Sequence, residues 1–239
     1  MTGRFYEAVS IAALEDGFIV KLDAHELKTP AKRQMLLPTR QLAQLVADEW
    51  AAQGDEIDST KMLYMRLVST ALDRVQAMPH ETAAAFAAYG MSDLLCYRAD
   101  APERLVARQA AAWDPLLTWA QSRFDMSFEV TDGVLPVSQP PANEQRLISI
   151  AGTDVFRLTG LAHLAALLGS ALVTLALEAG HIDAQQAYKA AFLDDLFQIE
   201  EWGKDAEAEM RLNKIELEIA EAAGYLSALQ GATTEEAHA

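Results

Sequence analysis

The sequence predicts an α+β fold, a small β-containing domain over residues 1–78 followed by a mainly α-helical domain over residues 79–239. Three observations predict it. Apolar residues alternate with a period near two through the first forty residues. Beyond Pro38 the period lengthens to that of a helix. Met78-Pro79 then interrupts the pattern ahead of a stretch that stays helical in period almost to its end. Strands first and helices afterwards is the segregated arrangement of α+β proteins.

Residues 5–11 alternate roughly with period two, and Gly17-Phe18-Ile19-Val20-Lys21-Leu22 is a short β-rich run. Asp16-Gly17 between them is a hairpin signal, because Gly tolerates positive φ. Asp23-Ala24 and Thr29-Pro30 mark further turns, and Met35-Leu36-Leu37 ahead of Pro38 completes a small antiparallel sheet or meander. Leu42, Leu45, Val46, Glu49 and Trp50 then follow i, i+3, i+4, i+7, i+8 spacing, with Thr39 as N-cap and Gly54 past the end. A second helix is expected over 60–75. Beyond Pro79, helices are expected at 81–89, 102–124, 143–150, 156–179, 183–202 and 205–229. Pro115 should start or kink a helix. The polar tail at 233–239 should be frayed.

The chain is 51% hydrophobic and 23% charged, enough for a full core with an ordinary charge content. Its net charge of −16 repels phosphate backbones and anionic lipid, so neither nucleic acid nor membrane insertion is expected. The acidity either keeps the chain soluble or faces a basic patch on a protein partner. Cys96 is the single cysteine, which excludes an intramolecular disulfide and suits a reducing compartment. Its apolar neighbours Leu94 and Leu95 make it a buried, inert thiol. Met1-Thr2-Gly3-Arg4-Phe5-Tyr6-Glu7 has neither an apolar core nor an Arg/Ser-rich leader, so no targeting segment is expected. The most apolar run, 161–177, contains His163 and reads as the centre of the helical domain rather than as a membrane span.

Signatures of chemistry are missing from the sequence. No glycine-rich loop ends in Lys and Ser/Thr to cradle phosphates, no Gly-x-Gly-x-x-Gly follows a strand, and no Gly-x-Ser-x-Gly elbow is present. The five histidines, His25, His80, His163, His181 and His238, lack a second His or Cys at metal-ligand spacing. No cofactor or metal is expected. The most charged helical segment is Leu193-Asp194-Asp195-Leu196-Phe197-Gln198-Ile199-Glu200-Glu201-Trp202-Gly203, in which Asp194, Gln198 and Glu201 fall on one face. Metal chemistry in a helical bundle wants Glu-x-x-His pairs, which are absent. Paired carboxylates can serve acid–base hydrolysis. A protein-recognition face and a plain solvated face read the same residues without chemistry. Asp is a weak helix former, so propensity does not explain Asp194-Asp195 inside an apolar-periodic segment.

Several segments, taken in order, carry a resemblance. They are Arg4-Phe5-Tyr6, Leu22-Asp23 and Thr29-Pro30-Ala31; Leu42-Ala43, Glu49-Trp50 and Gln53; Thr70-Ala71-Leu72-Asp73; Asp93-Leu94-Leu95-Cys96-Tyr97-Arg98; Trp113-Asp114-Pro115-Leu116; and Gln198-Ile199-Glu200-Glu201-Trp202-Gly203. Together they resemble the assembly chaperones that bind the α subunit of the ATP synthase catalytic sector in mitochondria and α-proteobacteria. The likeness runs from about Arg4 to about Leu229, and its specificity lies in the order and spacing of short motifs. Two positions depart from it. Asp23-Ala24 stands where the family often has Asp-Gly, and Met62-Leu63 where it tends to have Pro after Met. Ala24 bears on the turn type, because Ala dislikes positive φ.

The resemblance implies a two-domain fold without enzymatic activity or cofactor, monomeric when free. It implies the unassembled ATP synthase α subunit as partner, held until the β subunit arrives. It implies a cytoplasmic protein in bacteria, with relatives in the mitochondrial matrix. It aligns Asp194 with an acidic position that the family uses for function, and a family-typical Trp with Trp50, which also lies on the apolar face of Leu42, Leu45 and Val46. Gln198 and Glu201 extend the face of Asp194 beside Trp202, so these four residues are expected to bind the partner or position helices, and Trp50, Asp93 and Trp113 to be structural. The rival readings are a small hydrolase using the acids of residues 194–201, and a helical scaffold with another client. A buried polar pocket with converging carboxylates would favour the hydrolase. An exposed, partly apolar groove would favour the chaperone.

Overall fold

A computed structural model describes residues 2–133, 135–203 and 205–230. The tail at 233–239 and His238 lie outside the described residues. The chain divides into two compact units. The first takes the chain up to Pro79, Asp154–Gly160 and the chain from Glu221 onward; the second takes His80–Thr153 and Leu161–Ala220. No sequence signal marks the boundaries at 160/161 and 220/221, because helical periodicity runs straight through both.

The first unit opens with four strands, β1 (Thr2–Gly3), β2 (Val9–Leu14), β3 (Gly17–Leu22) and β4 (His25–Glu26). β2, β3 and β4 form an antiparallel sheet in that order. Val9 faces Leu22 and Leu14 faces Gly17, which leaves Glu15-Asp16 as the hairpin turn. The strand expected over 5–11 begins only at Val9. The preceding amides of Glu7 and Ala8 donate instead to the Asp23 carboxylate, at 3.1 and 2.8 Å. Asp23 itself takes the positive φ of its turn, 54°, so Ala24 carries no strain there.

Helix α1 (Arg40–Ala51) starts at Thr39, whose Oγ1 accepts the Leu42 amide at 3.1 Å and so satisfies an otherwise orphan donor. Its apolar stripe buries Leu42, Ala43, Val46, Ala47 and Trp50. β5 (Glu56–Ile57) pairs antiparallel with β1. α2 (Leu63–Asp73) is shorter than the expected 60–75, and short 3-10 turns flank it. Its start lacks a cap from its own chain neighbour. Glu49 of α1 supplies one, accepting the Tyr64 and Met65 amides at 2.7 and 2.8 Å. Burial outweighs those two amides and pushes the Glu49 carboxyl up to about 7.

α3 (Pro79–Met91) begins at a proline, whose missing amide costs nothing in a first turn. In the second unit β6 (Tyr97–Arg98) precedes α4 (Glu103–Phe124) and pairs in parallel with β7 (Thr131–Asp132). α4 runs through Pro115, so this proline starts no new helix. α5 (Pro141–Ala151) follows. The single helix expected over 156–179 is two, α6 (Val155–Leu168) and α7 (Ala171–Glu178). Gly169, at φ 64°, turns the chain out of the first, and the Ser170 hydroxyl caps the second by accepting the Val173 amide at 2.9 Å. The helix expected over 183–202 is likewise α8 (Ala184–Ala191) and α9 (Leu193–Trp202), parted at Phe192. α10 (Ala206–Gln230) ends the described chain.

Every residue from Ala171 to Leu177 is buried, so α7 forms the core of the second unit. Asp93, fully buried, fastens that core. One oxygen accepts the Leu95 amide and the other the Leu172 amide, each at 3.1 Å, so a single carboxylate caps two helical starts. Burial pushes its carboxyl up to about 6 against the pull of those donors and of Ser170. Cys96 is buried, its thiol pushed up to about 12 by the same loss of water. No helix among the described residues is long and apolar enough to cross a membrane.

Candidate functional site

Helical spacing turns Asp194, Phe197 and Glu201 of α9 to one side. Asp194 accepts a hydrogen bond from Nε2 of Gln109 at 2.8 Å. Arg104 pairs with Glu201 and Arg108 with Glu200, each at 2.9 Å. All three partners lie on α4. Phe197 is buried beneath them, its ring centroid 5.9 Å from the Arg104 guanidinium and 5.6 Å from that of Arg108. On its other flank α9 is held by α10, through Asp195 and Arg211 at 2.9 Å. Gln109 is itself buried, and its carbonyl accepts the Ala99 amide at 2.8 Å. That bond aims its NH2 group at Asp194. Arg108 holds the Glu200 carboxyl below its usual range.

The residues singled out on α9 therefore differ in what they do. Asp194 and Glu201 lace the helix to α4. Gln198 is exposed and makes no side-chain hydrogen bond among the described residues. Trp202 is 80% exposed at the end of the helix, where Gly203 turns the chain at φ 92°. The three residues assigned to structure are all in the interior. Trp50 is 8% exposed, and the Tyr6 hydroxyl donates to its carbonyl at 2.6 Å. Trp113 is 1% exposed, donates from Nε1 to the Ala190 carbonyl at 2.9 Å, and carries the Arg98 guanidinium 5.1 Å from its ring centre. Asp93 is the double cap described above.

Beside this lacing, α4, α8 and α9 enclose a groove of about 700 Å³. Leu193, Leu196 and Ile199 recur every third residue and make its α9 wall. Pro115 and Leu116 make the α4 wall, and Ile182 closes the end ahead of α8. The volume lies in the range of ligand pockets, roughly 300–1,000 Å³. Polar groups sit at its edge, among them Arg108, His181, Lys189 and Glu200. His181 stacks on Trp119, with ring centroids 5.0 Å apart and planes at 16°. Carboxylates do not converge in it: Glu200 is the one acid of its lining among the described residues, and Arg108 occupies it. Among the described residues no group of three His, Cys, Asp or Glu side chains is placed to hold a metal ion.

Sequence reasoning found the acids of α9 but missed their partners. Arg104 and Arg108 stand at i, i+4 on α4 in a chain with 19 basic residues, which marks a basic stripe. Nothing in the spacing says that its acid lies 97 residues on. Gln109 and Lys189 gave no signal at all.

The family model described as the ATP12 chaperone protein matches residues 3–121. The crystal structure of Atp12 from Paracoccus denitrificans matches with a TM-score of 0.89 at 38% identity, over 95% of this chain and 98% of that one. An aspartate-to-lysine mutant of the Paracoccus protein matches equally well, with a TM-score of 0.89 at 37% identity over the same shares. A chaperone candidate from Agrobacterium tumefaciens matches with a TM-score of 0.89 at 36% identity, over 95% of this chain and 86% of that one.

Proposed function

The chain belongs to the ATP12 chaperone family, and on that premise we propose that it is a non-catalytic assembly chaperone for the F-type ATP synthase. In this reading it binds the unassembled α subunit in the cytoplasm and keeps it from aggregating until the β subunit takes over. An unassembled subunit exposes surfaces meant for its neighbours, and large exposed apolar patches drive association. A chaperone needs a complementary apolar surface of its own that stays open. The observation that carries the reading is the groove of about 700 Å³ along α9, lined by aliphatic side chains and left uncovered by the rest of its unit. Release needs no nucleotide if β binds the same α surface more tightly.

The acids of α9 have a positioning role in this account. Asp194 and Glu201 hold the helix on α4, and the opposite edge of the same helix is a wall of the groove. A hydrolase would need carboxylates free to meet substrate, whereas Asp194, Asp195, Glu200 and Glu201 are each engaged by Gln or Arg. A pull-down from native cell extract tests the proposal. The ATP synthase α subunit is expected as the main captured protein. Capture of other proteins with α absent would overturn it.

A further inference from the structure

We infer that the occupant of the groove is an amphipathic helix of the client that sets a carboxylate against Lys189. The inference rests on the chaperone reading and adds which part of the client is held and by what chemistry. The length of the groove fits a helix. Its α4 wall spans residues 108–116 and its α9 wall residues 193–200. At about 1.5 Å per residue each wall is roughly 10–12 Å long, two turns of a docked helix. A helix laid in a groove buries an apolar stripe at i, i+3, i+4 and i+7, and the half-buried Ile182, Leu196 and Ile199, above the buried Leu116 and Leu193, offer that stripe a surface.

Charge selects which helix. The chain carries a net charge of −16, yet the groove's lining holds Arg108 and Lys189 against the single acid Glu200. Arg108 and Glu200 neutralise each other at 2.9 Å. Lys189 is exposed and has no ion-pair partner among the described residues. The mouth of the groove is therefore a cationic spot on an acidic surface. An acidic, apolar client segment is repelled by the molecule's net negative charge, so the attraction at Lys189 favours this site and sets the register in which it docks.

The dissociation constant for purified α subunit decides the matter, measured for the parent and for Lys189→Glu, Lys189→Met and Leu196→Gln, with a thermal melt of each. The parent binds, Lys189→Glu weakens binding about tenfold or more, and Lys189→Met, which keeps the apolar stem, weakens it about threefold. Leu196→Gln weakens it about tenfold by placing an amide on the apolar wall. The melts of both Lys189 variants match the parent. Parent-like binding by Lys189→Glu and Leu196→Gln overturns the groove assignment and leaves the chaperone reading standing. Tighter binding by Lys189→Glu means a basic occupant and overturns it too. A change in the chaperone's own oligomeric state in place of α binding means a second copy in the groove, again against the inference. If the parent fails to bind α at all, the chaperone reading falls first.

Discussion

Each unit has a groove beside a helix, and the two differ in what they leave uncovered. In the first unit, β2 and α1 border a hollow of about 220 Å³ whose edge is polar, with Ser10, Arg40, Gln44 and Asp48. Gln44 donates to Asp48 at 2.8 Å within it. The apolar stripe of α1 is turned away from this hollow into the core, and Leu42, Ala43 and Val46 are wholly buried. In the second unit, α9 buries Phe197 under arginines and leaves Leu196 and Ile199 partly open on a groove of about 700 Å³. One helix uses its aliphatic face to hold the fold. The other uses polar bonds to hold its place, and its aliphatic face remains open to a partner. Open aliphatic surface with a charged rim is what a binding site looks like.

The largest effects should come from the closed cores. Trp50→Ala in the first unit and Trp113→Ala in the second should each cost about 3–5 kcal/mol, from lost transfer energy and the cavity left behind. Domain stability is about 5–15 kcal/mol, so the readout is low soluble yield and an early urea midpoint. Trp50→Arg should be worse, since it buries a charge. If Trp50→Ala melts like the parent yet fails to hold the client, α1 contributes to binding and the contrast between the helices breaks.

The buried caps set a pH dependence of somewhat smaller size. Burial raises Glu49 from 4.5 to about 7 and Asp93 from 3.8 to about 6, so the folded chain holds protons that the unfolded chain has released. Stability from Glu49 is then fully present below about pH 4.5 and lost as pH rises through about 7. The Asp93 contribution is present below about 3.8 and lost through about 6. For Glu49 the swing is on the order of 3 kcal/mol. Urea midpoints across pH 4.5–7.5 should show it, and Glu49→Gln should flatten that part of the profile. An unchanged profile in Glu49→Gln would place the titration elsewhere.

On α9 the expected cost is smaller for folding and larger for binding. Asp194→Asn keeps an oxygen for Gln109 and should cost less than about 1 kcal/mol. Asp194→Lys removes the acceptor, orphans a buried amide and should cost about 1–3 kcal/mol while loosening α9 on α4. Co-expression with the α subunit, scored as soluble α and set beside circular dichroism melts, separates the two. Full rescue by a normally melting Asp194→Lys protein would remove Asp194 from the mechanism. Breaking the exposed Arg108–Glu200 pair with Glu200→Gln should shift the urea midpoint least of all, because solvent screens the pair.

How much of this was legible in the sequence depends on range. α1, its cap Thr39 and its buried Trp50 follow from local periodicity, and the structure gives each as the spacing implies. The break at Gly169-Ser170 was hidden, because both residues fit the small-residue character of an apolar helix while the deciding capping partner, Asp93, lies far away in sequence. The acidic face of α9 was legible as a pattern. Its lacing was not, since Gln109 and Arg104 sit on a helix about ninety residues earlier. The groove was least legible. Ile182, Leu196 and Ile199 carry no local mark that sets them apart from core residues, and only the tertiary arrangement shows that they stay half-open beside the buried Leu116.

Light scattering by purified α subunit, with and without this chain, tests the central claim most directly. The account predicts that aggregation is suppressed in the absence of nucleotide, that suppression saturates near one chain per α subunit, and that added β subunit displaces the chaperone. Aggregation of α at an undiminished rate in a stoichiometric excess of the folded chain would contradict it.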